Sequence, residues 1–235
     1  MLKKNTLFIL VLTATLAIAT FLTPAKSMAG YDITFAPAPI TKPVEVGENG
    51  SRMNLDYVTI DTDDAIIGYG FDLSFRTAST PSSGMSGTFE MLTLDSDSGD
   101  TYGLVLAGAV NYEIKPTGDK HTTIFIGVPV SLSALSSDVG VNTVDISIIT
   151  YGLQVGALYN YEVSPSSYLT PYLIVATHSG TATVDDFSTT TDVDVKATTT
   201  VLGLDFALAE GISFGASLQT GGEAKMTTLQ FGFTF

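Results

Sequence analysis

From residue 51 to the end of the chain, apolar residues recur at every second position in runs of about ten, and each run is bounded by turn residues. Along 66–76, Ile67, Tyr69, Phe71, Leu73 and Phe75 share one parity, and Gly68, Gly70, Asp72, Ser74 and Arg76 share the other. The same pattern runs through 102–114, with Tyr102, Leu104, Leu106, Val110, Tyr112 and Ile114 on one parity, and through 149–161. A side-chain period of two belongs to the extended strand, not to the helix. After residue 29 there is no apolar run of about 18 residues, the length a membrane-crossing helix needs.

Alternation of this kind also occurs in a soluble β-sandwich. Two features favour a transmembrane β-barrel instead. The polar parity is built from Gly, Ser, Thr and Ala with few charges, which suits a narrow lumen better than a hydrated surface. Tyr69, Tyr102, Tyr112, Tyr159, Tyr161, Tyr168 and Tyr172 sit near segment ends, where the two membrane interfaces would place aromatic girdles.

Charge and composition exclude several functions. The 235 residues carry 24 Asp and Glu against 10 Lys and Arg, a net charge of −14, which disfavours binding to nucleic-acid phosphates. With no Cys there is no disulfide frame, thiolate metal site or thiol nucleophile. Hydrophobic residues at 45% argue against a disordered chain.

Residues 1–29 have the form of a cleaved signal peptide. Lys3 and Lys4 precede an apolar stretch from Leu7 to Leu22, and Ser27-Met28-Ala29 is a small-x-small cleavage site. Residues 30–50, with Ala36-Pro37-Ala38-Pro39 and Lys42-Pro43, lack clean alternation and read as a Pro-rich periplasmic arm. The barrel is expected over 51–235.

At the end of the chain, Leu229, Phe231, Phe233 and Phe235 alternate with Thr228, Gln230, Gly232 and Thr234. This resembles the C-terminal assembly signal of Gram-negative outer-membrane proteins. With the export signal and the alternating segments, the sequence is similar to the small outer-membrane β-barrels, the OmpA-like, OmpX-like and porin-family proteins. The resemblance covers about 51–235. It implies an integral outer-membrane protein with both termini periplasmic, whose partners are outer-membrane lipid, lipopolysaccharide and the assembly machinery.

The expected architecture is all-β, an antiparallel up-and-down barrel. Counting back from Phe235, the strands fall at 224–235, 212–220, 197–208, 168–178, 145–162, 121–133, 101–114, 86–95, 65–76 and 52–60. That makes ten, or eight if the two weakest segments, 52–60 and 86–95, lie outside the membrane. Loops 61–64, 96–100, 134–144, 179–196 and 221–223 would then be extracellular. They concentrate acid at an outer rim: Asp61, Asp63, Asp64, Asp95, Asp97, Asp100, Asp185, Asp186, Asp192 and Asp194, with Asp138, Asp145 and Glu223. Self-repulsion on this scale attracts counter-ions, so divalent cations join the expected partners. The run Asp95-Ser96-Asp97-Ser98-Gly99-Asp100 has alternate Asp residues but not the order of a calcium loop, and reads better as a polar hairpin turn.

Expected lumen charges are Asp72, Arg76, Glu113, Glu162 and Asp205, with Asn111, Gln154 and Gln219 beside them. No catalytic residue, metal site or cofactor is predicted. The one arrangement worth testing for catalysis is His178 with Ser179 and the nearby Asp residues, although neighbours on a strand point to opposite faces. Two functions follow. The first is a small passive pore for solutes or cations with an acidic extracellular mouth. The alternative is a non-conducting barrel acting in adhesion or surface protection through its loops, with a surface hydrolase third.

Overall fold

A computed structural model describes residues 51–62, 67–80, 83–96, 99–114, 116, 119, 121–139, 142–186, 189–208, 211–221 and 224–234. The expected signal peptide and arm, 1–50, lie outside the described residues, as do Asp63, Asp64, Asp97 and Phe235.

The described chain is a single antiparallel sheet. Its strands are β1 (Ser51–Thr62), β2 (Ile67–Thr80), β3 (Ser83–Ser96), β4 (Gly99–Ile114), β5 (Thr122–Val139), β6 (Asn142–Tyr159), β7 (Tyr161–Ser164), β8 (Ser167–Asp186), β9 (Thr189–Ala207), β10 (Ile212–Gly221) and β11 (Ala224–Thr234). Each long strand pairs with its sequence neighbours. The ring closes where β6 pairs with β8 and where β1 pairs with β11. The four-residue β7 is a short appendage on β8. Segments 52–60 and 86–95, the weakest in sequence, pair on both sides.

The register shows how the sheet is rolled. From Val58, one path leads through Gly70, Leu92, Gly103, Leu135, Ile146 and Val184 to Thr191 on β9. The other leads through Thr228 and Ser217 to Gly203 on the same strand, a stagger of 12 residues (203 less 191). For ten strands with ordinary rise and spacing, that stagger gives a tilt of about 40° and a backbone radius of about 10 Å.

Both ends of the described chain, Ser51 and Thr234, emerge at one end of the barrel. Around that end and the middle, the outward parity is apolar: Met53, Leu55 and Tyr57 on β1, Leu104 to Ile114 on β4, Leu202 and Leu204 on β9, Leu229 to Phe233 on β11 are all exposed. The inward parity there is mostly small or polar, apart from a group of larger apolar residues around Phe125 and Tyr172. Along β8, Tyr172–Ala176 is buried on both faces.

Toward the far end the polarity inverts. On β5 and β6 the outward residues become Ser136, Asp145 and Ser147, while Leu135, Ile146 and Ile148 point inward and are buried. On β8 and β9 the outward residues become Thr181, Thr183, Asp192 and Asp194, with Ala182, Val184 and Val195 inward. The expected loops 134–144 and 179–196 are therefore mostly strand. Strands of 18 to 20 residues pair out to Val139 and Asn142 on β5 and β6 and to Asp186 and Thr189 on β8 and β9. The alternation persists across the boundary, and only the sign of the outward face changes. The expected strand 145–162 is interrupted at Asn160, whose side-chain oxygen accepts from Thr170 Oγ1 at 2.8 Å.

Inward glycines let large neighbours lie flat against the wall. A Cβ on Gly203 would fall 2.0 Å from Tyr172 Cζ, and one on Gly156 would fall 2.2 Å from Phe125 Cζ. Gly203→Val forces Tyr172 off the wall. Overpacking of this kind costs about 1–3 kcal/mol, read as a lower urea midpoint for the variant refolded in lipid vesicles.

Candidate functional site

The lumen has three levels. Near the termini, Phe125, Leu158, Tyr172, Ile174, Ala176 and Val201 form one buried apolar cluster. Toward the far end, Val58 from β1 joins Val105 and Ala107 from β4, Leu135, Ile146, Ile148 and Ala182 in a second, with Met226 packed against it. Strands β1 and β4 are not neighbours, so this cluster gathers residues from well-separated parts of the wall. Polar side chains lie between and beside the two clusters.

The strongest polar feature was not anticipated from sequence. Arg52 is 3% exposed and lies along the wall, where Nε donates to Asn54 Oδ1 at 2.6 Å and Nη1 donates to Asp205 Oδ2 at 2.9 Å. Its path crosses Gly232 on β11 and Gly215 on β10. A Cβ on Gly232 would sit 2.1 Å from Asn54 Oδ1 and 2.9 Å from Arg52 Nε, and one on Gly215 would sit 2.2 Å from Asp205 Oδ1. Two glycines thus form the trough that lets β1 reach β9. Asp205, an expected lumen charge, is neutralised here by a base from the segment that looked weakest.

A second bridge has the same build. Gln154 Nε2 on β6 donates to Asn111 Oδ1 on β4 at 2.6 Å across Gly127 of β5. Ser131 and Thr150 share a hydrogen bond of 2.6 Å, and Gln230 Nε2 donates to Asp56 Oδ2 at 3.0 Å. Asn111 Nδ2, Gln154 Oε1, Ser133 Oγ, His178 Nδ1 and Ser213 Oγ are buried with no hydrogen-bond partner among the described residues.

The remaining expected lumen charges divide. Asp72 and Arg76 hold register positions opposite Asp56 and Arg52 on β1. Asp72 also pairs in register with Glu90 on β3, so three acidic residues occupy one row across β1, β2 and β3. Neither Asp56 nor Glu90 was anticipated, although both share the inward parity of their segments. Glu113 is half-buried opposite Phe125 on β5. Glu162 departs from expectation: it is exposed on β7, where the chain has left the ring after Asn160, and does not belong to the packed lumen. Gln219 is buried on β10.

At the far end, Asp185, Asp192 and Asp194 are exposed on the outer face. Thr190 Oγ1 donates to Asp185 Oδ1 at 2.5 Å, Thr183 Oγ1 to Asp192 Oδ1 at 2.7 Å, and Ser136 Oγ to Asp145 Oδ1 at 2.7 Å. Asp61, Asp95 and Asp100 stand one residue inside the ends of β1, β3 and β4 at the same rim, and Asp186 ends β8. Asp95 pairs with Asp100 and Ser96 with Gly99, so β3 and β4 are paired to their ends here. Among the described residues no group of three His, Asp or Glu side chains is placed to hold a metal ion.

The His178 arrangement is not assembled. His178 is buried on the inner wall with Nε2 3.2 Å from Thr199 Oγ1, while Ser179 faces outward. Asp185 is an odd number of residues further along and also faces outward. At the terminal end, Leu229, Phe231 and Phe233 are exposed and outward, with Phe231 and Phe233 edge to face at 4.9 Å.

The sequence matches no curated protein. Solved structures to which the chain is similar include three described as follows. The translocator domain of the autotransporter NalP from Neisseria meningitidis is 11% identical, with 95% of this chain and 96% of that one covered, at a TM-score of 0.46. The KdgM porin in complex with oligogalacturonate is 11% identical over 77% and 99%, at 0.38. Ail, the attachment invasion locus protein of Yersinia pestis, is 12% identical over 81% and 100%, at 0.28. The family model described as the outer membrane protein beta-barrel domain matches residues 68–235. A rolled antiparallel sheet with an apolar outer belt and this match over most of the chain lead to one conclusion: the protein belongs to the outer-membrane β-barrel family and is integral to the outer membrane.

Proposed function

We propose that this is a barrel with a closed lumen that works through its far end, as a surface-binding or surface-protecting protein. The observation that carries this reading is the apolar cluster of Val58, Val105, Ile146 and Ile148, each 0–1% exposed, across the interior. Small barrels are commonly filled by side chains, and an apolar constriction excludes ions by excluding water. The far end faces outward from the cell and the termini face the periplasm. In support, the far-end wall is polar outside and rises beyond the apolar belt. Its exposed Asp residues suit divalent cations bridging to lipopolysaccharide, and the outward Leu229, Phe231 and Phe233 suit recognition by the assembly machinery.

The expected result is electrical silence. Protein extracted from outer membranes and placed in a planar bilayer shows no stable openings, and the double variant Val58→Ala, Ile148→Ala, which removes bulk from both sides of the seal, admits steady current. Steady current through the wild-type protein would sink the closed-lumen reading. The row Asp56, Asp72 and Glu90 favours a second reading, a cation-selective pore. Acidic residues at one level of the wall, with Asp56 also accepting from Gln230 Nε2, would favour cations over anions on a path past them. In that case the wild-type current is cation-selective, and Asp56→Asn with Asp72→Asn and Glu90→Gln reduces the selectivity.

A further inference from the structure

The far rim is not level. β10 ends at Gly221, which pairs with Thr199 of β9, yet β9 runs ten residues further, to Thr189. Over Thr189–Thr198 its pairing among the described residues is with β8 alone. The rim climbs strand by strand around the barrel and drops at the β9–β10 step. That step leaves a strand edge of ten residues standing above the apolar belt. Along such an edge every second residue presents its N–H and C=O to the open side.

The residues on this edge describe what would fit it. Outward lie Asp192, Asp194 and Lys196, with Asp185 on the adjacent strand. Inward lie Val193 and Val195, half-buried, and Val195 packs against the far-end apolar cluster. An added strand would therefore need apolar side chains on alternate positions facing inward. Basic side chains between them would face Asp192 and Asp194 as cross-strand pairs.

A second copy of this chain fits poorly. Two barrels in one membrane run their β9 strands in the same direction, so edge-to-edge pairing is parallel. In register it sets Asp192 beside Asp192 and Asp194 beside Asp194.

We propose that the open edge of β9 at Thr189–Thr198 is a strand-addition site for an extended peptide in which basic and apolar residues alternate. Backbone hydrogen bonds supply much of the affinity, and the Asp192 and Asp194 face selects the charge. The proposal rests on the reading that the far end is the exposed working surface, but not on whether the lumen conducts.

The test uses the whole protein in detergent and a ten-residue peptide of alternating Val and Lys. Its controls are the same peptide N-methylated at alternate backbone nitrogens and an alternating Val and Glu peptide. Fluorescence anisotropy reads binding, and amide hydrogen exchange locates it. The Val-Lys peptide is expected to bind at least tenfold more tightly than either control and to slow exchange within Thr189–Thr198. Asp192→Asn with Asp194→Asn weakens it about tenfold without altering the exchange of the rest of the barrel. Equal binding of the N-methylated peptide would reduce the effect to charge attraction and overturn the proposal. So would full protection of Thr189–Thr198 in the peptide-free protein, since the edge would then be covered by another part of the chain. A failed titration leaves the closed-lumen reading intact, whereas steady wild-type current removes that reading and leaves the edge as it is.

Discussion

Arg52→Ala lowers the stability of the folded barrel by about 3–5 kcal/mol, the usual penalty for removing one partner of a buried ion pair. Arg52 and Asp205 are 3% and 2% exposed at the side chain and 2.9 Å apart. Truncating Arg52 leaves the Asp205 carboxylate on the wall without the guanidinium it faces. It also removes the donor to Asn54 Oδ1, so two acceptors lose a charged partner at once. The comparison that isolates this cause is a double-mutant cycle. Asp205→Ala alone strands the guanidinium and is costly too. The double variant is expected to lose less than the sum of the two single variants, because no uncompensated charge remains. Urea unfolding of the protein refolded in lipid vesicles measures all three. Additive losses would mean that the pair is not energetically coupled, whatever its geometry. Gly232→Val is expected to resemble Arg52→Ala, because a side chain there occupies the space of Asn54 Oδ1 and Arg52 Nε.

The route to this pair shows what the sequence could reveal. The sheet, its antiparallel order and the inward parity of each segment were legible, because a period of two is written residue by residue. Met53, Leu55 and Tyr57 fixed the parity of the first strand and so placed Arg52, Asn54 and Asp56 inward. An apolar face of three residues does not by itself single those three out. Contact between Arg52 and Asp205 depends on β11 and β10 lying between them with glycine at both crossings, a fact of register with no local trace. The far-end strands were misread for a different reason. Ser136, Thr183 and Asp192 read as loop residues because a polar outward face is not expected of a strand in lipid. Beyond the apolar belt, however, the outward face meets water. Leu135, Ile146, Val184 and Val195 continued the alternation in the opposite sense. The open edge of β9 follows from strand lengths and stagger together, which no single segment discloses.

That inversion also locates the membrane, and the location has a large measurable consequence. On β9, Leu202 and Leu204 are exposed and apolar, whereas Asp192, Asp194 and Lys196 on the same outward parity are charged. By the register, Leu202 pairs with Leu218 of β10 and Leu173 of β8, and the exposed Leu204 follows it on the same face of β9; these apolar neighbours place it in the belt. Leu202→Arg therefore puts a guanidinium into hydrocarbon and is expected to cost about 2–4 kcal/mol, the range for a basic residue near the bilayer midplane. Thr181→Arg, exposed on the outward face of β8 beyond the inversion, is expected to cost about 0–1 kcal/mol, as at the interface or above it. Both substitutions add one positive charge at an exposed strand position; Leu202→Thr serves as the control for the lost apolar side chain, and Thr181→Arg with Asp194→Asn for the carboxylate that pairs with Thr181 in register. Unfolding free energies in phosphatidylcholine vesicles provide the comparison. Equal costs at the two positions would place both in one environment and would remove the far-end wall from the water side of the membrane, and with it the surface on which the proposed surface function and the β9 edge both depend.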